Sequence, residues 1–395
     1  MNRLSSSRPT NVRYHENGLT LVELLVSLVV VGLLATAVFS FFLTTSQSVS
    51  QQSASGEMWQ RGRNALAIMR QAIESAGYGL PSYSQCPNGV VGINNATGTP
   101  GALVAITASA QASGSSYYPD TASGINTYSF STVIGGGSFG GAPATTVNSA
   151  QGANITVVNT EPLNPGDLAL LAPQGGGTCL LGQITNVAGK GTLNSSCQVT
   201  GGGNAQGAGT VVFNSGKGKT ACFQANPNQL FSLVTGTGNT SLTGASLYDL
   251  GSQDFLFETF EIKENPAGST PTLYMTQYTG AQASTPTPQA LASGVVDMQI
   301  QYGLGTNGAV QTWVTPKNYT PSATQNIVAV QLAMLIRSSR YLPNSLSPAS
   351  FSIMGKTYTV PTTNGPGCLQ GDCQHYEYHL FQSVIPVRNG IWQGD

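Results

Sequence analysis

The chain has 395 residues, of which only 8% are charged, and its formal net charge is −1. Its lysines and arginines are scattered and form no basic patch, which excludes an electrostatic nucleic-acid binder. Glycine (48) and proline (21) are frequent, which fits a β-rich extracytoplasmic chain with long loops and not a cytosolic helical enzyme.

Residues 1–18 form a polar leader carrying Arg3, Arg8 and Arg13. An apolar run follows from Leu19 to Leu43, and Glu23 is its one ionisable residue. About 25 residues at about 1.5 Å each make a helix of about 37 Å, enough to cross a bilayer core. No basic residue follows the leader until Arg61, so the leader is expected in the cytoplasm and the C-terminal bulk across the membrane. The run is too long for a cleaved secretory signal, whose apolar region spans about 7–15 residues. A carboxylate at the centre of a spanning helix costs roughly 2.5–3.5 kcal/mol, and near an end less, so Glu23 calls for a functional reason.

From Thr44 the pattern becomes amphipathic. Trp59, Leu66, Met69 and Ile73 recur as one helix face does. Gly77 and then Gly79-Leu80-Pro81 end the pattern, as helix-stop residues do. One helix is therefore expected from Leu19 to Ala76, with residues 19–43 embedded in lipid or a filament and residues 44–79 packed on a globular domain. Gly32 is a soft spot within it.

Residues 80–395 read as one β-rich domain. Strand signals fall at Leu103–Thr107, Asn154–Val158, Asp167–Ala172, Leu180–Thr185, Thr210–Phe213, Asp254–Ile262 and Thr272–Tyr278. Val296, Met298, Ile300 and Tyr302 alternate with polar residues, as a strand with one buried face does. Val328, Val330, Leu332, Met334 and Ile336 repeat the pattern, and Phe351–Val360 and Tyr376–Val387 follow. The expected class is α+β: a long N-terminal helix on an antiparallel sheet or sandwich.

Six cysteines, Cys86, Cys179, Cys197, Cys222, Cys368 and Cys373, lie beyond the apolar run. An even count in an oxidising compartment reads as disulfides, with about 15 pairings open. Cys368–Cys373 closes the shortest loop and Cys179–Cys197 comes next. A zinc site at Cys368, Cys373 and His375 lacks a fourth ligand. His375 and His379 sit on one strand face about 13 Å apart, too far to share a metal. Gly218-Lys219-Thr220 ends like a phosphate loop but has Phe213 where glycine is required. No catalytic constellation, cofactor or metal site is expected, and the chain reads as a structural protein.

The boundary residues Gly18-Leu19-Thr20-Leu21-Val22-Glu23 resemble the N-terminus of a type IV prepilin. Further blocks resemble PilW-like minor pilins: Met69–Gly79, Gly294–Gly303, Ile327–Ser338 and Pro386-Val387-Arg388-Asn389-Gly390. The prepilin family usually has Phe where this chain has Leu19. The resemblance implies cleavage between Gly18 and Leu19 by prepilin peptidase, N-methylation of Leu19, and pairing of Glu23 with a neighbouring subunit's terminal amine. It also implies a low-abundance subunit that primes pilus assembly within a tip complex. Its partners would be the major pilin, other minor pilins and the inner-membrane assembly machinery, and it would pass from a single-pass inner-membrane form, its C-terminal domain in the periplasm, to the extracellular pilus. Two other readings share the helix: a type II secretion pseudopilin, and a tip adhesin whose loops between 80 and 245 form a recognition surface.

Overall fold

The structure, a computed structural model, describes residues 20–81, 85–91, 104–111, 126–136, 144–151, 154–194, 196–203, 207–213, 242–280, 286–306, 308–322, 325–343 and 345–388. Helix α1 runs Leu21–Ser75. It begins where Thr20 caps it: the Glu23 N–H donates to Thr20 O at 3.0 Å and to Thr20 Oγ1 at 3.3 Å. Threonine followed three residues later by glutamate is the capping pattern that satisfies the free amides of a first turn. The helix ends before Gly77, whose φ of 81° is open to glycine without a side-chain clash. The Gly77 N–H then donates to Val133 O at 2.8 Å. The chain divides into two compact units, Met1–Ala54 and Ser55–Asp395, and each is described by itself.

In the first unit α1 continues through Gly32 without a break. In the second unit its buried face is Met58, Ala65, Met69, Ala72 and Ile73, continued by Ala76. The expected face is therefore shifted at its start: Met58 and Ala65 are buried, while Trp59 is 36% exposed and Leu66 only partly covered. Small residues carry this seam. A Cβ on Gly62 would lie 2.3 Å from the Phe381 ring, so the helix approaches the sheet more closely than any side chain there would allow. Periodicity read from large side chains alone misplaces such a face.

The strands in chain order are β1 (Val90–Val91), β2 (Ile106–Ala110), β3 (Tyr128–Ile134), β4 (Thr145–Gln151) and β5 (Asn154–Val157). Then come β6 (Leu168–Ala172), β7 (Cys179–Gln183), β8 (Asn186–Val187), β9 (Gly191–Leu193), β10 (Val199–Thr200), β11 (Gly209–Val212) and β12 (Ser246–Gly251). The last third holds β13 (Leu256–Lys263), β14 (Thr272–Thr279), β15 (Gln289–Ser293), β16 (Val295–Thr306) and β17 (Ala309–Val314). It closes with β18 (Asn326–Arg337), β19 (Ser350–Ile353), β20 (Lys356–Thr359) and β21 (Tyr378–Pro386). Pairing is antiparallel throughout except β1 with β7.

Three main sheets result. A ten-stranded sheet runs β1-β7-β6-β12-β4-β5-β11-β8-β9-β10, a five-stranded sheet β15-β14-β13-β3-β2, and a four-stranded sheet β17-β16-β18-β21. The hairpin β19–β20 is separate; Met354 and Gly355 turn it at positive φ, so the expected strand over 351–360 is two strands.

One core joins the helix seam to Phe130, Phe260, Met298, Ile300, Leu332, Met334 and Phe381 of the five- and four-stranded sheets. A second lies in the ten-stranded sheet around Val147, Ile155, Leu171, Val187 and Val211. On the far face of the four-stranded sheet, Val296, Ala333 and Leu335 pack with Ile353, Tyr358 and Val360.

That far core corrects the expectation of one buried face. β16 and β18 are covered on both sides, and each carries a bulge. The irregularity between Val295 and Asp297 makes Val296 the extra residue, turning it to the far core while Val295 joins Met298 in the helix-facing core. The second irregularity, opposite Ala329 and Ile327, takes Val328 out of the row that Val330, Leu332, Met334 and Ile336 form.

Candidate functional site

The first unit presents an apolar surface. Along residues 21–43 the large side chains are exposed, from Leu21 at 78% to Phe41 at 72%. The most apolar window of α1 has a mean hydropathy of 2.6 and none of it is buried within the chain. Length and composition are those of a membrane-spanning helix.

Its polar groups are suited to such surroundings. The hydroxyls of Ser27, Thr36 and Ser40 donate to the carbonyls of Leu24, Leu33 and Ala37, each at 2.9 Å, and Thr44 donates to Ser40 O at 2.9 Å. A hydroxyl satisfied inside its own helix carries no open hydrogen bond into lipid or into a bundle. Glu23 differs. Its carboxylate is exposed in the first turn and has no ion-pair partner among the described residues. The first turn favours negative charge, because its free amides and the helix dipole point there, an effect of about 0.3–1 kcal/mol. A cation from outside the helix is the remaining complement. Gly18 and Leu19 lie outside the described residues.

The cysteines are structural where described. Cys368 is bonded to Cys373, and Cys86 to Cys179. The expected Cys179–Cys197 pairing is thus incorrect: Cys179 lies beside Cys86 in the core under β1, β6 and β7. Cys197 is disulfide-bonded as well, and Cys222 lies outside the described residues. The disulfide at Cys368 and Cys373 also leaves no thiolates there for a metal.

The two described histidines, His375 and His379, are packing residues, and His15 lies outside the described residues. His375 Nδ1 lies 3.0 Å from Ser345 O and 3.3 Å from Leu342 O. His379 lies against Trp59, ring centroids 3.7 Å apart and planes tilted by 40°, and meets Phe381 edge-on. Burial pulls the His379 imidazole below its ordinary value, against a smaller opposite effect from Glu377. Among the described residues no cluster of His, Cys, Asp and Glu could hold a metal ion.

Two buried polar centres escaped the sequence reading. Arg337, 1% exposed at the end of β18, donates to Pro366 O at 3.2–3.3 Å and to Gly367 O at 3.3 Å. It also meets both sulfurs of the Cys368–Cys373 bond, and its guanidinium lies 4.6 Å from the Tyr376 ring centre. The strand ending was legible at Arg337-Ser338, but nothing in the sequence marks that arginine as buried. Gly294 serves the same corner: its φ is 83°, a Cβ there would lie 2.3 Å from Arg337 O, and its carbonyl accepts the Arg337 N–H at 2.7 Å. The second centre is Asp297, wholly buried on β16, whose carboxyl is pushed up to about 7 by burial against hydrogen bonds from Gln299 and Thr127.

Comparison with known proteins gives two matches to family descriptions. Residues 259–389 match the Type IV Pilus-assembly protein W family, PilW, and residues 13–39 match the prokaryotic N-terminal methylation motif. The first range runs from within β13 to just past β21, and so holds the four-stranded sheet, its hairpin and the Arg337 corner. No curated protein matches the chain. A solved type IV-like pilin from Thermus thermophilus is similar at 12% identity over 39% of this chain and 73% of that one, with a TM-score of 0.21.

Proposed function

We propose that this type IV pilin-like chain, PilW-like over residues 259–389 and bearing the methylation motif at residues 13–39, is a minor pilin that promotes pilus assembly from a priming complex at the filament tip. Prepilin peptidase cuts between Gly18 and Leu19 and methylates the Leu19 amine. The apolar helix holds the subunit in the inner membrane with its C-terminal domain in the periplasm. On assembly the same surface leaves lipid and is covered by the helices of the major pilin and other minor pilins.

The observation that carries this reading is the exposed Glu23 carboxylate, without an ion-pair partner among the described residues, at the head of an exposed and mainly apolar helix. Away from water an unpaired charge is strongly disfavoured. A neighbouring subunit's terminal amine supplies the missing cation, and it does so in one axial register only. Pairing therefore selects how far one helix slides along the next. The charge-free length behind Glu23 adds area but no register, so the carboxylate sets position and the apolar face sets strength.

Intact-protein mass spectrometry of the chain from piliated cells tests the processing step. The expected species begins at N-methylated Leu19; a chain still beginning at Met1 in those cells contradicts it. The PilW match supports the pilus reading over a type II secretion pseudopilin.

A further inference from the structure

A cavity of about 510 Å³ opens beside β2 and is lined in part by Ala108, Ser109, Ala110, Asn126, Lys317 and Lys356. Small-molecule sites span roughly 300–1,000 Å³. Of the lysines described, Lys263 pairs with Glu261, and Lys190 donates to the carbonyls of Glu161 and Leu163. Neither Lys317 nor Lys356 has a carboxylate within ion-pair distance among the described residues. Both line this one cavity. In a chain with 8% charged residues, two ammonium groups in one concavity, with no carboxylate at ion-pair distance among the described residues, make a local positive field.

Lys356 is held in place from below. Its Nζ donates to Gln299 Oε1 at 3.0 Å and lies 4.8 Å above the Tyr128 ring. Gln299, 2% exposed, donates through Nε2 to Asp297 at 2.9 and 3.2 Å and to Asn126 O at 2.9 Å. A chain of hydrogen bonds thus rises from a carboxyl in the core to an ammonium on the cavity wall. A free lysine side chain has several rotatable bonds to fix on binding a ligand; here that ordering is already done. Lys356 also acts through space on the Asp297 carboxyl below it, as the smallest of the influences that favour its charged form. Lys317 comes from the short 3-10 turn Pro316–Asn318 and is exposed. Asn126 lies on the same wall, while Ala108 and Ala110 leave room.

We propose that this cavity binds a small hydroxylated carboxylate, an acidic sugar, with the carboxylate on Lys317 and Lys356 and a hydroxyl at Asn126. The site is independent of Glu23 and of the assembly role.

Calorimetric titration of the full chain in detergent micelles tests it, with galacturonate as the probe, galactose as the neutral control and inorganic phosphate as the bare anion. Saturable galacturonate binding is expected, with galactose about tenfold weaker or more for want of the charge-assisted hydrogen bonds, and phosphate weaker for want of the hydroxyl and ring contacts. Lys317→Gln should weaken galacturonate about tenfold, Lys317→Glu should abolish its binding, and raised salt should weaken it in the unaltered chain. Lys317 is exposed, so both variants are expected to fold, and unchanged thermal unfolding checks this. Lack of saturable galacturonate binding overturns the proposal. So does equal binding of galactose or phosphate, or undiminished binding by Lys317→Glu.

Discussion

The two ends of α1 are equally helical and opposite in what covers them. Between residues 21 and 43 the side chains are large, apolar and exposed; between 58 and 76 the seam is Met58, Gly62, Ala65, Met69, Ala72, Ile73 and Ala76, buried against a sheet. Apolarity alone does not say where a helix finds its partner. Small side chains let a helix sit close to its own sheet, and a clash-free fit there is specific. Large side chains with no cover inside the chain are suited to lipid or to other helices, where area matters more than fit.

The comparison can be broken by changes confined to one side of it, each read by denaturant unfolding of the full chain in micelles. The largest effect is expected on removing the Cys86–Cys179 bond, whose sequence separation is 93. Replacing both by serine should cost about 4–5 kcal/mol by loop entropy, all of it in the second unit; an unchanged midpoint would show that the bond adds nothing to folding. Met69→Ala, at a fully buried seam position, should cost about 2–4 kcal/mol. Leu28→Ala, on the exposed stretch, should stay within about 0.5 kcal/mol. Equal losses in these two variants would erase the distinction between the ends. Gly62→Ala forces a methyl against the Phe381 ring and should cost about 1–3 kcal/mol, whereas Gly32→Ala, with open space around it, should cost nothing.

The last effect is a slope with pH. The Asp297 carboxyl stands at about 7 in the folded chain, against about 3.9 unfolded. A raised carboxylate value means the folded state holds a proton that the unfolded state has released. Its contribution is therefore greatest below pH 4, is lost as pH rises from about 4 to about 7, and is flat above, at up to about 1.4 kcal/mol per pH unit. Asp297→Asn should remove that slope; a variant with the wild-type pH dependence would mean that Asp297 is ionised in the folded state.

Much of this was legible in sequence, for physical reasons. The helix bounds follow from Thr20, Glu23 and Gly77, whose chemistry is local. Strands β5, β6, β7, β11, β13, β14, β16, β18 and β21 follow from alternating or continuous apolar runs. Strands such as β3 (Tyr128–Ile134) and β17 (Ala309–Val314) were missed, because serine, threonine and glutamine dilute their pattern. The phase reversals at Val296 and Val328 depend on bulges set by the partner strand, which no single-strand pattern contains. The Cys86–Cys179 bond joins residues brought together only by the pairing of β1 with β7. The same holds for Arg337 and for the Lys356–Gln299–Asp297 chain, where each residue is ordinary alone and only the fold gives it partners.

The role of Glu23 is most directly tested by expressing Glu23→Ala in piliated cells and following the protein in membranes and in sheared filaments. The helix keeps its length and apolar surface, so the variant is expected to remain in the membrane at the wild-type level and to be lost from the filament fraction. Filament incorporation equal to wild type would contradict an assembly role for this carboxylate.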